Sequence, residues 1–217
     1  FTLSNALNSG LRKINVITQY KSYSLDQHIS VGWSHLFNRR HQDEYINIIP
    51  PQQRITTNWY LGTADAIFQN IYFLERERPK RVVILGGDHI YKMDYRRVLD
   101  YHIAKGAQLT VACTSVPIAE ADQFGIAQTK DDGRIYGFQE KPKSNPTTIP
   151  GDPSRCLASM GIYIFGTETL VRRVSQYSRD PNSDHDFGKN IIPGMVNDQQ
   201  PVYAYPFIDS ETKQPEY

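Results

Sequence analysis

The sequence is poor in cysteine, nearly balanced in charge and free of long apolar runs. Two cysteines, Cys113 and Cys156, are too few for a disulfide framework. Both adjoin apolar runs and read as small core residues, so a reduced, cytoplasmic setting is expected. Against 24 Lys and Arg stand 23 Asp and Glu, a net charge of +1. That balance gives no reason to expect nucleic acid or a membrane surface as partner. The longest apolar runs, such as Val82-Val83-Ile84-Leu85, are strand-length and far short of a membrane span. The chain lacks a G-x-x-x-x-G-K-[ST] loop and a G-x-G-x-x-G fingerprint, which argues against a P-loop or ordinary dinucleotide fold. It has no H-E-x-x-H or Cys-rich zinc spacing among its six histidines and two cysteines, and no G-x-S-x-G elbow. It opens on Phe1, so its start reads as removed, with any targeting signal.

What is present suits one soluble domain with a real core: 217 residues, 39% hydrophobic and 22% charged. Residues 1–9 read as the end of a helix stopped by Gly10, and 14–18 as a short buried strand. The stretch 30–58 is polar and irregular, an expected long excursion from the sheet. Apolar residues at Ala64, Ile67, Ile71 and Leu74 have helical spacing, with Thr63 as N-cap. A strand follows at 81–85, then a helix capped by Asp94 and ended by Gly106, and a strand at 109–116. Residues 126–138 read as a hairpin turning at Asp131-Asp132-Gly133. A loop spans 143–153, a strand 159–165 and a helix 169–177. A further helix at 186–196 is interrupted at Pro193, and no closing element is read after it. Alternating strands and helices predict an α/β fold whose sheet has a mostly parallel centre. In such sheets ligands collect at the C-terminal ends of strands.

Four segments carry candidate chemistry. Gly86-Gly87-Asp88-His89 places two glycines and a carboxylate directly after a buried strand. Such a carboxylate can hold Mg²⁺ against a polyphosphate; alternatively it is a turn Asp that caps the next helix. The likeness to a GGDEF signature fails, since His89 and Ile90 replace the second acid and the Phe. Trp59-Tyr60-Leu61-Gly62-Thr63 sets a glycine turn at a helix N-terminus, where free N–H groups favour a phosphate or a base edge. Tyr60 would suit a sugar face, although an ordinary capped helix start reads the same way. In Glu140-Lys141-Pro142, Lys141 suits a phosphate and Glu140 can accept from sugar hydroxyls; a solvated Glu–Lys pair is the plainer alternative. Ser159-Met160-Gly161 at a strand start is weak alone.

In this order and spacing the segments resemble the ADP-glucose pyrophosphorylase (glucose-1-phosphate adenylyltransferase) family. The likeness runs through Leu3-Ser4-Asn5-Ala6-Leu7-Asn8-Ser9-Gly10, Val16-Ile17-Thr18-Gln19-Tyr20 and Pro51-Gln52-Gln53-Arg54. It continues through Gly62-Thr63-Ala64-Asp65-Ala66, Gly87-Asp88-His89-Ile90-Tyr91 and Glu140-Lys141-Pro142. Ser159-Met160-Gly161-Ile162-Tyr163 and His185-Asp186-Phe187-Gly188-Lys189 complete it.

The resemblance implies a Rossmann-like nucleotidyltransferase domain with a mixed, mostly parallel sheet. It implies transfer of the adenylyl group of ATP to glucose 1-phosphate with Mg²⁺, for glycogen or starch synthesis, in a cytoplasmic, allosteric homotetramer. Asp88 matches the metal-binding and catalytic aspartate, and Lys141 the lysine that grips the sugar phosphate. Tyr60, Gly125, Glu140 and Ser159 match positions around glucose 1-phosphate, and Gly62 and Thr63 the turn near the base. Arg76 falls where some bacterial members contact inhibitory AMP, and Leu61 stands where some have Arg. A Gly-rich phosphate loop, a second metal-binding Asp and a C-terminal left-handed β-helix domain are expected beyond the two ends of this chain. Residues 1–217 are thus read as a partial catalytic domain, inactive alone. The same chemistry with UTP, CTP or dTTP, or a non-catalytic regulatory subunit, are the rival readings.

Overall fold

The computed structural model describes residues 1–37, 44–51 and 59–208. Helix α1 (Thr2–Asn8) ends ahead of Gly10, whose φ of +73° is left-handed and suits a residue without a Cβ. Strands β1 (Lys13–Ile17) and β2 (Tyr45–Ile49) pair in parallel from Lys13↔Tyr45 to Ile17↔Ile49. Between them lie α2 (Tyr23–Gly32) and a 3₁₀ turn (Ser34–Leu36). These elements correct the expectation of an irregular excursion over 30–58. Helix α2 buries Ile29 but exposes Tyr23 and Val31, so its apolar stripe is too thin to read. Gln52, Gln53 and Arg54 lie outside the described residues.

The single helix expected after Thr63 is two, α3 (Thr63–Gln69) and α4 (Ile71–Glu77). Asn70 breaks them: its Nδ2 donates to Ala66 O at 2.8 Å, competing with the helical ladder. The N-cap is Gly62, not Thr63, because the Thr63 hydroxyl donates instead to Asp186 Oδ2 at 3.1 Å. Helix α5 (Tyr95–Ala104) starts as expected at Asp94, whose Oδ1 accepts from Arg96 N at 3.0 Å.

The main sheet holds β3 (Arg81–Leu85), β4 (Leu109–Pro117), β5 (Gly125–Thr129), β6 (Ile135–Glu140), β7 (Arg155–Gly166) and β8 (Val202–Pro206). Its order is β6-β5-β7-β4-β8, with β3 also on β7. The sheet is mixed. Strands β3, β4, β5 and β8 run one way and β6 and β7 the other. The expected parallel centre is corrected in its pairings. Strand β7 is inserted antiparallel between β3 and β4, and within the described part of this sheet β4·β8 is the parallel neighbour pair. The chain enters β7 from a hairpin and a loop, without the crossover helix that a parallel neighbour needs. Strand β8 was not anticipated; it is a short edge strand ending in Pro206, where proline is tolerated.

Helices cover both faces. Leu109, Val111 and Cys113 of β4, with Phe165 of β7, pack against Ala64 of α3 and against α6 (Thr167–Ser178) and α7 (Ile192–Asn197). On the other face Ala112, Ile162 and Ile164 meet Ala6 of α1 and Tyr95 and Val98 of α5. Both cysteines are buried, as expected. The helix expected at 186–196 is a π-helical turn (Phe187–Ile191) followed by α7. Pro193 sits in the first turn of α7, where its missing N–H costs little. No helix among the described residues is long and apolar enough to cross a membrane.

One irregularity positions the site. Val111 pairs with Tyr163 but Cys113 with Ser159, so Ala112 faces three residues of β7. Gly161 absorbs this bulge at φ +68°. At the same place the other edge of β7 changes neighbour, from β3 (Leu85↔Ile162) to β5 (Ile126↔Ala158). The C-terminal end of β3 and the start of β5 therefore face each other across a gap beside the bulge.

Candidate active site

That gap opens into a cleft of about 1490 Å³ that also runs between β1 and β3. Thr63, Asp88, Gly125, Glu140, Lys141 and Ser159 all line it, so six sequence-predicted residues from five separate segments meet there. Asp88 follows β3 through Gly86 and Gly87, and its side chain is 88% exposed. His89 Nε2 lies 3.5 Å from Asp88 Oδ1. The imidazole is seated between two glycines: a Cβ on Gly86 would lie 3.1 Å from its Cε1, and one on Gly161 3.0 Å.

Glu140 closes β6 opposite Gly125. A Cβ on Gly125 would come within 2.8 Å of Glu140 Oε2, and one on Gly188 would collide with it. Two glycines thus make the pocket for this carboxylate. Burial, and secondarily the neighbouring Asp186, push its pKa up, while Lys141 and Lys189 oppose the shift. Lys141 is exposed, and its backbone is left-handed at φ +45° directly before Pro142, a strained setting for a residue with a Cβ. The Lys141 amide, donating to Phe124 O at 3.0 Å, holds that turn. Ser159 is half-buried beside the bulge and accepts from Gly161 N at 3.3 Å.

Asp186 and Tyr163 lie in segments that carry the resemblance, but the sequence assigns neither a role in the site. Asp186 Oδ1 caps the π-helical turn by accepting from Gly188 N at 2.8 Å and Lys189 N at 3.1 Å, and its Oδ2 takes the Thr63 hydroxyl. Ala64 N donates to His185 O at 2.9 Å, and a Cβ on Gly62 would collide with that carbonyl. The Gly62-Thr63 turn is thereby locked to the 184–188 segment. The readable signal for Asp186 is the Asp-Phe-Gly-Lys run at a helix start, a capping pattern. Tyr163 lines the cleft and stacks on Phe187 at 5.3 Å; burial pushes its phenol pKa up.

Three predicted residues stand apart from the cleft lining. Tyr60 is buried, and its hydroxyl accepts from Asn70 Nδ2 at 3.0 Å, so it supports a lining residue from behind. Gly62 adjoins the cleft through Thr63. Arg76 lies outside it, paired with Glu77 at 3.2 Å and over the Phe73 ring at 5.4 Å.

Among the described residues no cluster of three or more His, Cys, Asp and Glu forms a ready-made metal cage. A lone exposed carboxylate suits Mg²⁺ better, because that ion is commonly held by one or two carboxylates plus substrate phosphates. A cleft with one such acid, a lysine and a sheltered carboxylate can bind a phosphorylated sugar beside a nucleotide.

Residues 1–211 match the nucleotidyl transferase family model. The chain is 52% identical over 217 residues to a glucose-1-phosphate adenylyltransferase of Rhodopirellula baltica, covering 100% of this chain and 48% of that protein. It is 50% identical over 212 residues to glucose-1-phosphate adenylyltransferase 2 of Pseudoalteromonas atlantica, covering 97% and 50%. A Yersinia pseudotuberculosis protein of the same name is 50% identical over 222 residues, covering 100% and 51%. The chain spans about half the length of these curated relatives. With the cleft at the strand ends and a family match across nearly its whole length, the chain belongs to the nucleotidyl transferase family.

Proposed function

We propose that the protein carrying this chain transfers the adenylyl group of ATP to glucose 1-phosphate, releasing pyrophosphate and forming ADP-glucose. The observation that carries this reading is the meeting of Asp88, Glu140, Lys141 and Ser159 in one cleft beside the β7 bulge. The names of the relatives support ATP and glucose 1-phosphate as the substrates. An oxygen of the sugar phosphate forms a bond to the α-phosphorus of ATP as the bond to the β-phosphate bridge breaks. Such a transfer needs alignment and charge neutralisation more than covalent help. Lys141 neutralises the sugar phosphate. Glu140, sheltered between glycines, accepts from sugar hydroxyls, and Ser159 lines the same side. The Gly62-Thr63 turn, fixed against His185 and Asp186, borders the base. Asp88 would hold Mg²⁺, which when bound neutralises the polyphosphate. Arg76, exposed and outside the cleft lining, is the proposed contact for an anionic effector. A cytoplasmic homotetramer serving glycogen synthesis completes the reading.

The test is nucleotide-sugar formation by the full-length polypeptide that carries this chain. It receives glucose 1-phosphate, Mg²⁺ and ATP, UTP, CTP or dTTP in turn. Strong preference for ATP is expected. Lys141→Ala should raise the KM for glucose 1-phosphate about 100-fold, in keeping with loss of a charge-assisted phosphate contact. Asp88→Asn should abolish turnover while sugar binding persists. Preference for another nucleotide would move the activity to a sister chemistry, and no product with any of the four would favour a regulatory subunit.

A further inference from the structure

We propose that α1 is the positioning element of the Asp88 loop, with Asn5 and Thr2 as positioning residues. The inference rests on the proposed role of Asp88 at the reacting phosphates. Residues 86–94 cross from the exit of β3 to the start of α5 without regular secondary structure. Their backbone polar groups must find partners elsewhere. The α1 segment supplies two of these and a third at the junction with α5. Thr2 Oγ1 donates to Gly86 O at 3.1 Å, Asn5 Nδ2 donates to Tyr91 O at 2.9 Å, and Ser9 Oγ accepts from Tyr95 N at 2.8 Å. Positions 2, 5 and 9 are spaced i, i+3, i+7, so they share one side of the helical segment. They grip the loop at its start, its middle and its end, and Asp88 lies between the first two grips.

The clamp is set in the core. Asn5 is 5% exposed and Ser9 3%. Ala6 packs in one buried cluster with Tyr91, Met93 and Tyr95, and the Tyr91 and Tyr95 hydroxyls meet at 2.5 Å. Asp88, by contrast, is largely exposed and touches His89 at 3.5 Å. With so little side-chain anchorage, the direction of its carboxylate is inherited from the loop backbone, and α1 fixes that backbone. A misplacement of about 1 Å in a reacting constellation can cost about 100-fold in rate.

The experiment compares Thr2→Val, Thr2→Ser and Asn5→Ala in the full-length polypeptide, by steady-state kinetics and by amide hydrogen exchange of residues 86–94. Thr2→Val removes the donor at nearly constant shape, and Thr2→Ser keeps it. Thr2→Val and Asn5→Ala should speed exchange in this loop about tenfold and lower kcat by about 10- to 100-fold, with the KM for glucose 1-phosphate changed less than about twofold. Thr2→Ser should track the wild type in both readouts. Unchanged loop exchange in Thr2→Val and Asn5→Ala would overturn the proposal. So would exchange that rises equally across the whole sheet, which marks general destabilisation. A wild-type protein that makes no nucleotide sugar would sink the proposed reaction, while loop exchange would still decide the clamp.

Discussion

At the scale of single residues, Glu140 shows how the cleft tunes its chemistry. Its carboxyl is sheltered by Gly125 and Gly188, faces Asp186, and is held above the usual carboxylate range by burial first and by that acid second. A raised folded pKa means that the folded state holds the proton more tightly than the unfolded state does. Below the ordinary glutamate pKa of about 4.3 both states are protonated and nothing is lost. As pH rises from there through the raised value, the ionised group weakens the fold. Glu140→Gln should therefore melt higher than the wild type at pH 7, with the gain shrinking to nothing near pH 4. Thermal melts across that range check the sign. Glu140 and Lys141 became candidates through the family resemblance, since Glu-Lys ahead of Pro142 alone reads more plainly as a solvated pair. Asp186 was not a candidate, because its contacts to Thr63 and its closeness to Glu140 exist only in the folded chain.

At the scale of elements, the join between α3 and the 184–188 segment is a tightly specified contact in the cleft wall. Gly62 is extended, at φ −175°, so backbone conformation does not require glycine there. What requires it is proximity: an added Cβ would collide with His185 O and lie 2.8 Å from Asp184 O, both backbone atoms that cannot swing aside. Gly62→Ala should cost about 1–3 kcal/mol in chemical denaturation, the usual range for overpacking. The elements that could be read from the sequence share one property. Strands β3 and β4 and helix α5 carry strong apolar patterns bounded by Gly or Asp, so local chemistry and tertiary position agree. The elements that escaped do not. Helix α2 exposes Tyr23 and Val31. Strand β2 exists through its parallel pairing with β1, and β8 through its edge position on β4. The parallel centre failed as an expectation because nothing in the residues of β7 states which way it runs; the route of the chain decides that.

At the scale of the whole molecule, β7 is the strand on which the architecture converges. It joins β3, β4 and β5, and its alternate residues feed both helical layers, with Ile164 on one side and Phe165 on the other. Ile164→Ala should cost about 2–5 kcal/mol, as buried aliphatic truncations do. Denaturation followed by fluorescence and by circular dichroism should show the two layers lost together. The pairing Arg81↔Gly166 also dictates an order of assembly. On a ribosome adding about 5–20 residues per second, β3 emerges on the order of ten seconds before the strand it needs. Through that interval the edges of β3 and β4 that β7 will cover are open to solvent and to other nascent chains. The central strand of this sheet is made after β3 and β4, so chaperones that shield unpaired strands have their window on this protein before residues 162–166, the partners of β3, leave the exit tunnel.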